Sequence, residues 1–178
     1  LIVGAFVAGC VGMSGGFIRV QGHDLVDENG RKFFIRGTNF GHWLNPEGYM
    51  FGFKTATSPH LIDEAFRQMV GPEQTDRFWT AFRENYVTEA DIAFIASTGA
   101  NTVRIPFNYR LFANDTGFRL IDRAVGWCVR HRLRAILDMH ACPGGQTGSN
   151  IDDSYGSAWL FESERDRRRF CNLWRKIA

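Results

Sequence analysis

The feature that most constrains the fold of this sequence is a regular alternation of strand-like and helix-like segments from residue 17 onward. Short β-branched and aromatic runs at residues 101–107 and 134–140 alternate with segments in which apolar residues recur every three or four positions. This spacing predicts βα units and therefore a parallel sheet. The alternation fits an open, doubly wound sheet and a closed barrel of eight βα units equally well.

The predicted elements are a β-hairpin followed by three βα units. The hairpin has arms at residues 17–20 and 33–35 around the turn signal Asn29-Gly30, and its second arm continues through residues 36–39 as the first strand of the sheet. Three signals predict helices: proline near the first position, a capping box at Thr88, and apolar residues at helical spacing. The predicted helices cover residues 59–70, 72–86, 88–98 and 120–131, and a last one begins at residue 163. A loop rich in Gly, Ser and Asn at residues 142–156 follows the third strand.

Composition and charge exclude several classes of protein. With 44% hydrophobic residues, 22% charged residues and a formal net charge of +2, the chain is neither disordered nor collagen-like. Its basic residues are spread along the chain, which argues against nucleic-acid binding. The one basic cluster interleaves with acidic residues as on a solvated helix face: Arg165, Arg167, Arg168 and Arg169. No phosphate-binding glycine loop follows a strand, and no CxxC or HxxxH pair occurs, so we predict neither cofactor nor metal.

The first sixteen residues contain no charge, and residues 1–11 form an apolar run too short to span a bilayer, which needs about 20 residues. The run fits the hydrophobic region of a secretion signal, and Val7-Ala8-Gly9-Cys10 resembles the lipobox of bacterial lipoproteins. We therefore expect a secreted, extracytoplasmic protein attached to the bacterial cell envelope through a lipidated Cys10. The alternatives are plain secretion with an incidental Cys10, and a buried N-terminal strand.

Three further cysteines remain if Cys10 is lipidated. Cys128 and Cys171 both fall on the apolar faces of predicted helices, which favours buried free thiols. A Cys128–Cys171 disulfide is the alternative.

Polar residues at the ends of the predicted strands are the candidates for chemistry, because parallel α/β folds bind ligands there. Arg104 lies between Val103 and Ile105, where a guanidinium needs a carboxylate or the open end of the strand. This favours an active-site arginine over a buried structural ion pair. His140 closes the third strand and can bond a substrate hydroxyl or a catalytic carboxylate, unless local backbone satisfies it. Asp138 either orients His140 or ties down a neighbouring strand.

A second group of candidates follows the first strand. It combines hydrogen-bonding side chains with an aromatic platform, as a sugar requires, although a core aromatic cluster is an alternative. Its members are Asn39, His42, Trp43, Glu47 and Tyr49.

Three segments together resemble successive blocks of glycoside hydrolase family 5, which contains cellulases, exo-β-1,3-glucanases and related β-glycanases. They are residues 35–44 (IRGTNFGHWL), 101–107 (NTVRIPF) and 138–146 (DMHACPGGQ), and the resemblance extends over residues 17–178. It implies an α/β fold of the (β/α)8 TIM-barrel type, of which the chain has an N-terminal β-hairpin and about three βα units. It also implies retaining hydrolysis of β-glucosidic bonds, with a β-glucan polysaccharide or oligosaccharide as the partner.

The same resemblance implies roles for individual residues. Arg104 corresponds to the arginine that hydrogen-bonds the nucleophilic carboxylate, and His140 to a histidine lining the −1 sugar subsite. Glu47 matches a substrate-contacting glutamate of the exo-glucanase-like members. Trp43, Tyr49 and His42 become substrate-binding or supporting residues.

The sequence departs from the family at its catalytic carboxylates. The family places its acid/base in an Asn-Glu-Pro motif after strand four and its nucleophile after strand seven, and no Asn-Glu-Pro occurs here. Glutamates in helical or capping positions are expected to be solvated charges: Glu84, Glu89, Glu162 and Glu164. Asp152 and Asp153 border the predicted cleft and have no assigned role.

We therefore expect an N-terminal portion of a glycoside hydrolase, because the chain begins at Leu1 rather than Met and ends at Ala178 within a helical pattern. Residues 1–16 are interpreted as the remnant of a signal, and residues 17–178 as about three-eighths of a barrel. Such a chain supplies substrate-binding residues and neither catalytic carboxylate. The alternatives are a non-catalytic carbohydrate-binding relative and another sugar-active or phosphate-binding barrel enzyme.

Overall fold

A computed structural model of the chain describes residues 5–6 and 16–178. Its four-stranded sheet consists of β1 (Ala5–Phe6), β4 (Gly37–Asn39), β5 (Thr102–Asn108) and β6 (Arg134–Ala141), and a separate hairpin pairs β2 (Arg19–Gln21) with β3 (Asp24–Val26). The strand order is β1-β6-β5-β4, with β4, β5 and β6 parallel and β1 antiparallel to β6. The predicted parallel sheet is confirmed.

The helices follow the predicted pattern closely. They are α1 (Pro59–Val70), α2 (Pro72–Asn85), α3 (Glu89–Ser97), α4 (Thr116–Arg130), α5 (Trp159–Glu162) and α6 (Glu164–Ile177). The capping box is present, since the Thr88 N–H donates to Asp91 Oδ2 at 2.7 Å. No helix within the described ranges has the length and hydropathy needed to cross a membrane.

The core lies between β5, β6 and the helices that cover them. Val103, Ile105 and Phe107 of β5 are fully buried, and α4 packs an apolar face on the sheet through Leu120 and its neighbours. Gly37 makes the pairing of β4 with β5 feasible, because a Cβ at this position would lie 1.8 Å from the carbonyl oxygen of Thr102. The central strand is therefore buried on both faces, as in parallel sheets covered by helices.

The predicted turn is present and the first predicted arm overlaps β2, but the predicted pairing of residues 17–20 with 33–35 is wrong. Around Asn29-Gly30, Asp27 Oδ1 accepts backbone N–H bonds from Asn29 and Arg31, but the ladder there is a single bridge between Val26 and Lys32. The hairpin pairs β2 with β3 instead.

The side chain of Asn101 explains why residues 33–35 do not form a strand. Its Oδ1 accepts from Arg36 N at 2.8 Å, and its Nδ2 donates to Phe34 O at 2.8 Å. These bonds occupy backbone groups that a hairpin would have used.

The N-terminal segment is described only in part. Residues 5 and 6 form β1, which pairs with Leu137 and Ile136 at the free edge of β6, as in the alternative of an N-terminal strand. Cys10 and the rest of the predicted lipobox lie outside the described residues. The secretion signal and the lipidation of Cys10 stay predictions.

The three described cysteines are free thiols, so the alternative of a Cys128–Cys171 disulfide is not formed. Cys128 and Cys142 are buried, and burial raises the pKa of each thiol to about 12. Cys171 is exposed, so its predicted burial is wrong: α6 turns Phe170, Leu173 and Trp174 toward the core instead.

We expect native protein treated with iodoacetamide at about pH 8 to be alkylated at Cys171 and spared at Cys128 and Cys142, because the reactive species is the thiolate. Peptide mapping by mass spectrometry measures each site separately. Denatured protein, in which all three sites react, is the control. Alkylation of native Cys128 at the rate of Cys171 would contradict the described packing.

Of the four glutamates expected to be solvated, two form ion pairs between helices instead. Glu84 in α2 accepts from Arg119 at 2.8 Å and also from Arg123, both in α4. Glu89 in α3 receives two 2.8 Å bonds from Arg130 at the end of α4. The expectation for Glu84 and Glu89 is therefore corrected to ion pairs between helices, whereas Glu162 and Glu164 are exposed as predicted.

The Glu89 pair predicts a dependence of stability on pH. Hydrogen bonds from Arg130 are the main cause that lowers the pKa of Glu89 from 4.5 to about 2. Because the folded pKa is depressed, the stabilisation is present above about pH 4.5 and is lost on acidification toward pH 2. At pH 7, urea unfolding should show that the native chain is more stable than Glu89→Gln. This difference in the free energy of unfolding should shrink as the pH falls from about 4.5 toward 2. A difference that is constant with pH would contradict the pair.

Candidate active site

The candidate site lies on one face of the sheet, formed by the last residue of β4, by Arg104 in the first half of β5, and by Asp138 and His140 in the second half of β6. In β6, burial alternates along the strand, so Asp138 and His140 share the face opposite the buried Leu137 and Met139. The parallel register places Asn39 of β4 beside Arg104 of β5. Period-two geometry and strand order thus bring together four polar side chains distant in sequence.

Arg104 is the centre of this group. Its guanidinium donates from one terminal nitrogen to Asn39 Oδ1 at 3.0 Å and from the other to Asp138 Oδ2. The second nitrogen also lies 3.2 Å from Nδ1 of His140, and that Nδ1 lies 3.0 Å from Asp138 Oδ2. The Arg104 side chain is 36% exposed and that of Asp138 is 16% exposed. The guanidinium is therefore held by the more buried carboxylate and remains partly open to solvent.

Glu47 lies near this group. Burial raises the pKa of its carboxyl, and electrostatic interaction with His140, when that ring is protonated, and with Arg104 lowers it in part. The residue precedes a short 3-10 helix (Gly48–Phe51) held against the following loop, since a Cβ at Gly48 would lie 2.1 Å from the carbonyl oxygen of Ala56. Glu47 is therefore a half-buried carboxyl beside the arginine and the histidine.

An open depression of about 900 Å³ runs along β4 and α3 beside this group. Asn39, Glu47 and Tyr49 line part of it, whereas Arg104, Asp138 and His140 do not. Tyr49 is 69% exposed, which leaves its ring accessible as the sugar platform predicted for it. The structure thus places Asn39, Glu47 and Tyr49 along one concave surface.

His42 and Trp43 are buried, so of the two roles predicted for them the supporting role fits this structure and direct contact with a sugar does not. Trp43 is 1% exposed, and its Nε1 donates to Arg83 O at 2.9 Å. His42 has φ 69°, packs edge-on against Phe51 at 4.2 Å, and accepts the Glu47 N–H on Nδ1 at 3.1 Å. Burial lowers the pKa of His42, which keeps the ring a neutral acceptor. Both residues shape the loop that positions Glu47, as in the alternative of a core aromatic cluster.

Asp153, to which the sequence assigns no role, is the centre of a buried polar network in the structure. Asp153 Oδ1 accepts from His60 N at 2.9 Å and lies 2.5 Å from His60 Nδ1. Its Oδ2 accepts from Asn108 Nδ2 at 3.0 Å and from Arg110 Nε at 2.9 Å. Two consecutive aspartates in a glycine-rich loop after a strand were the only signal in the sequence.

The neighbouring Asp152 accepts hydrogen bonds from within its own loop. Its Oδ2 accepts from the backbone N–H groups of Gln146 at 2.7 Å and Thr147 at 2.5 Å. Gln146 Nε2 in turn donates to the carbonyl oxygen of His140 at 3.0 Å. Asp152 therefore anchors the loop next to His140, Asp153 joins the loop to α1 and to the end of β5, and neither is a free carboxylate.

No group of three or more His, Cys, Asp or Glu side chains within residues 16–178 is arranged to hold a metal ion.

Polar groups at the carboxyl edge of a parallel sheet are typical of (β/α)8-barrel enzymes. The model of the family described as cellulase, glycosyl hydrolase family 5, matches residues 26–178. The chain belongs to this family. Its three parallel strands and their helices are the first units of the TIM-barrel fold, and the described residues do not close a barrel.

Similar proteins include one named β-xylosidase from Phanerodontia chrysosporium, 33% identical over 91% of this chain and 36% of that protein. Endoglucanase C from Acetivibrio thermocellus is 33% identical over 53% of this chain and 29% of that protein. A probable glucan 1,3-β-glucosidase A from Emericella nidulans is 32% identical over 64% of this chain and 30% of that protein. The chain thus spans about a third of the length of these relatives.

Among solved structures, the rutinosidase from Aspergillus niger superposes with a TM-score of 0.65 at 22% identity, over 77% of this chain and 41% of that one. The structure of AoRut gives a TM-score of 0.66 at 21% identity with the same coverage. These likenesses confirm the fold.

Proposed function

We propose that this chain is the substrate-binding N-terminal portion of a hydrolase that cleaves β-glucosidic bonds of a β-glucan with retention of configuration. The observation that carries the proposal is the Arg104 guanidinium, fixed by Asn39 and Asp138 at the carboxyl edge of the sheet and open toward solvent beside His140 and Glu47. Membership of family 5 supports glycosidic bond hydrolysis, and the endoglucanase and glucan 1,3-β-glucosidase relatives support a glucan substrate.

Each residue has a task in this proposal. Arg104 has guanidinium N–H groups that do not bond Asn39 or Asp138. These groups hydrogen-bond a neighbouring carboxylate and keep it ionised. Glu47 and His140 bond sugar hydroxyls, and Tyr49 stacks on the apolar face of a sugar ring.

Retaining hydrolysis needs an acid/base and a nucleophile whose carboxyl groups are about 5–5.5 Å apart. At this edge, within residues 16–178, Asp138 is engaged with Arg104, and Glu47 belongs to the binding surface. We therefore assign both catalytic carboxylates to parts of the whole protein other than this chain.

Calorimetric titration of the chain with laminaribiose and cellobiose tests the binding role. We expect Glu47→Gln to weaken binding at least about tenfold, because a hydrogen bond to a charged group contributes about 1.5–3 kcal/mol. Glu73→Gln, on the exposed surface of α2, is the matched control and should leave the affinity unchanged. Equal affinities of Glu47→Gln and the native chain would contradict the assignment of Glu47.

We also propose that the whole protein is secreted and anchored to the cell envelope through a lipidated Cys10, which rests on the lipobox-like Val7-Ala8-Gly9-Cys10. Expression of the gene with its complete leader should place the product in the membrane fraction. Cys10→Ser should release it, and a soluble product from both would refute the anchor.

A further inference from the structure

The side chains of Arg104, Asp138 and His140 meet at a single imidazole nitrogen. Nδ1 of His140 lies 3.0 Å from Asp138 Oδ2 and 3.2 Å from a terminal nitrogen of Arg104. The guanidinium nitrogen is only a donor, and the carboxylate oxygen is only an acceptor. In a neutral ring, Nδ1 has either a proton or a lone pair in the ring plane, so it can bond one of these neighbours and not both.

Asp138 decides between the two bonds. The contact from Nδ1 to the carboxylate is the shorter one, and an N–H donated to an ionised carboxylate is a charge-assisted bond. Arg104 already donates from the same terminal nitrogen to Asp138 Oδ2, and from its other one to Asn39. The guanidinium therefore has other acceptors and does not need His140, whereas an Nδ1 lone pair would face the carboxylate across 3.0 Å.

We propose that Asp138 is a positioning residue that holds the proton of His140 on Nδ1, which makes Nε2 of His140 a hydrogen-bond acceptor. The hydrogen bond made by one ring nitrogen sets the state of the other. If the proposed function holds, on which this last step rests, Nε2 accepts the proton of a sugar hydroxyl. Asp138 thereby determines which partner His140 can bind.

The substitution Asp138→Ala should reverse this assignment. Arg104 is then the remaining neighbour of Nδ1, and because a guanidinium nitrogen only donates, the imidazole proton should move to Nε2. Asp138→Asn is the conservative control, because Arg104 and Nδ1 both contact Oδ2 of Asp138. An asparagine carbonyl oxygen at that position can accept from both and should keep the proton on Nδ1.

The test is long-range ¹H–¹⁵N correlation spectroscopy of the chain labelled with ¹⁵N-histidine, at about pH 8, where histidine side chains are in general neutral. Two other histidines are internal references. His42 accepts a backbone N–H on Nδ1 and must have its proton on Nε2, whereas His60 places Nδ1 2.5 Å from a carboxylate oxygen of Asp153.

We expect His140 of the native chain to give the Nδ1–H pattern of His60, and His140 of Asp138→Ala to give the Nε2–H pattern of His42, whereas Asp138→Asn should keep the native pattern. Asp122→Ala, at an exposed position of α4, is the control and should leave all three patterns unchanged. An Nε2–H pattern in the native chain overturns the proposal even if the variant fails to fold. So does an unchanged pattern in folded Asp138→Ala.

The pattern is independent of sugar binding. A native Nδ1–H pattern in a chain that binds no disaccharide would support the role of Asp138 and refute the proposed function. The opposite combination would refute the role of Asp138 alone.

Discussion

Replacement of Asp153 by alanine is expected to lower the free energy of unfolding by about 3–5 kcal/mol, because removing one partner of a buried charged network leaves the others uncompensated. The Asp153 side chain is fully buried, and its oxygens bond His60, Asn108 and Arg110. Alanine would leave these donors facing each other across a cavity. Asp153 also has φ 58°, a left-handed conformation that alanine tolerates less well than aspartate or asparagine.

Urea unfolding followed by tryptophan fluorescence measures this loss as a shift of the midpoint at constant slope. Asp153→Asn keeps the side-chain size and the backbone preference, so it should lose less than Asp153→Ala. Asp122→Ala is exposed and should change the free energy of unfolding by about 0.5 kcal/mol or less. A loss below about 1 kcal/mol in Asp153→Ala would show that the network does not support the fold.

The second large effect concerns turnover. We expect the purified 178-residue chain to hydrolyse neither laminarin nor aryl β-glucosides above the rate of a blank. Retaining hydrolysis needs a carboxyl pair about 5–5.5 Å apart, and the proposal assigns no such pair to this chain. Release of reducing sugar and of the aryl chromophore measures the two substrates.

Contamination by glucanases of the expression host is the main source of a false signal, so Glu47→Gln and Asp138→Asn must be purified in parallel with the native chain. Activity of equal size in all three preparations comes from the host. Turnover that accompanies the native chain through purification and disappears in one of these variants would refute the proposal. It would assign the catalytic carboxyl to Glu47 or Asp138.

Much of the fold was predictable because local signals determine it. α1 begins at Pro59 and ends before Gly71, as the sequence pattern predicts. The predicted hairpin failed because its second arm depends on Asn101, 65 residues from the Arg36 backbone that it bonds. No local pattern contains that contact.

The candidate site was likewise predictable only in part. Arg104, Asp138 and His140 were predictable because period-two alternation and parallel register bring strand ends together. The burial of Trp43 and His42 was not, because it depends on how the loop packs on α2. The role of Asp153 was missed for the same reason: its partners come from α1 and from the end of β5, and only the tertiary structure assembles them.

The proposed function requires the carboxyl edge of β4, β5 and β6 to bind a β-linked glucose disaccharide. Backbone amide chemical shifts can be followed during titration with laminaribiose and with cellobiose. We expect saturable shifts at Asn39, Glu47, Arg104 and His140 with at least one of the two sugars, and none at Arg77 on the outer surface of α2. Unchanged shifts at the four site residues in the presence of saturating sugar, or changes confined to other surfaces, would contradict it.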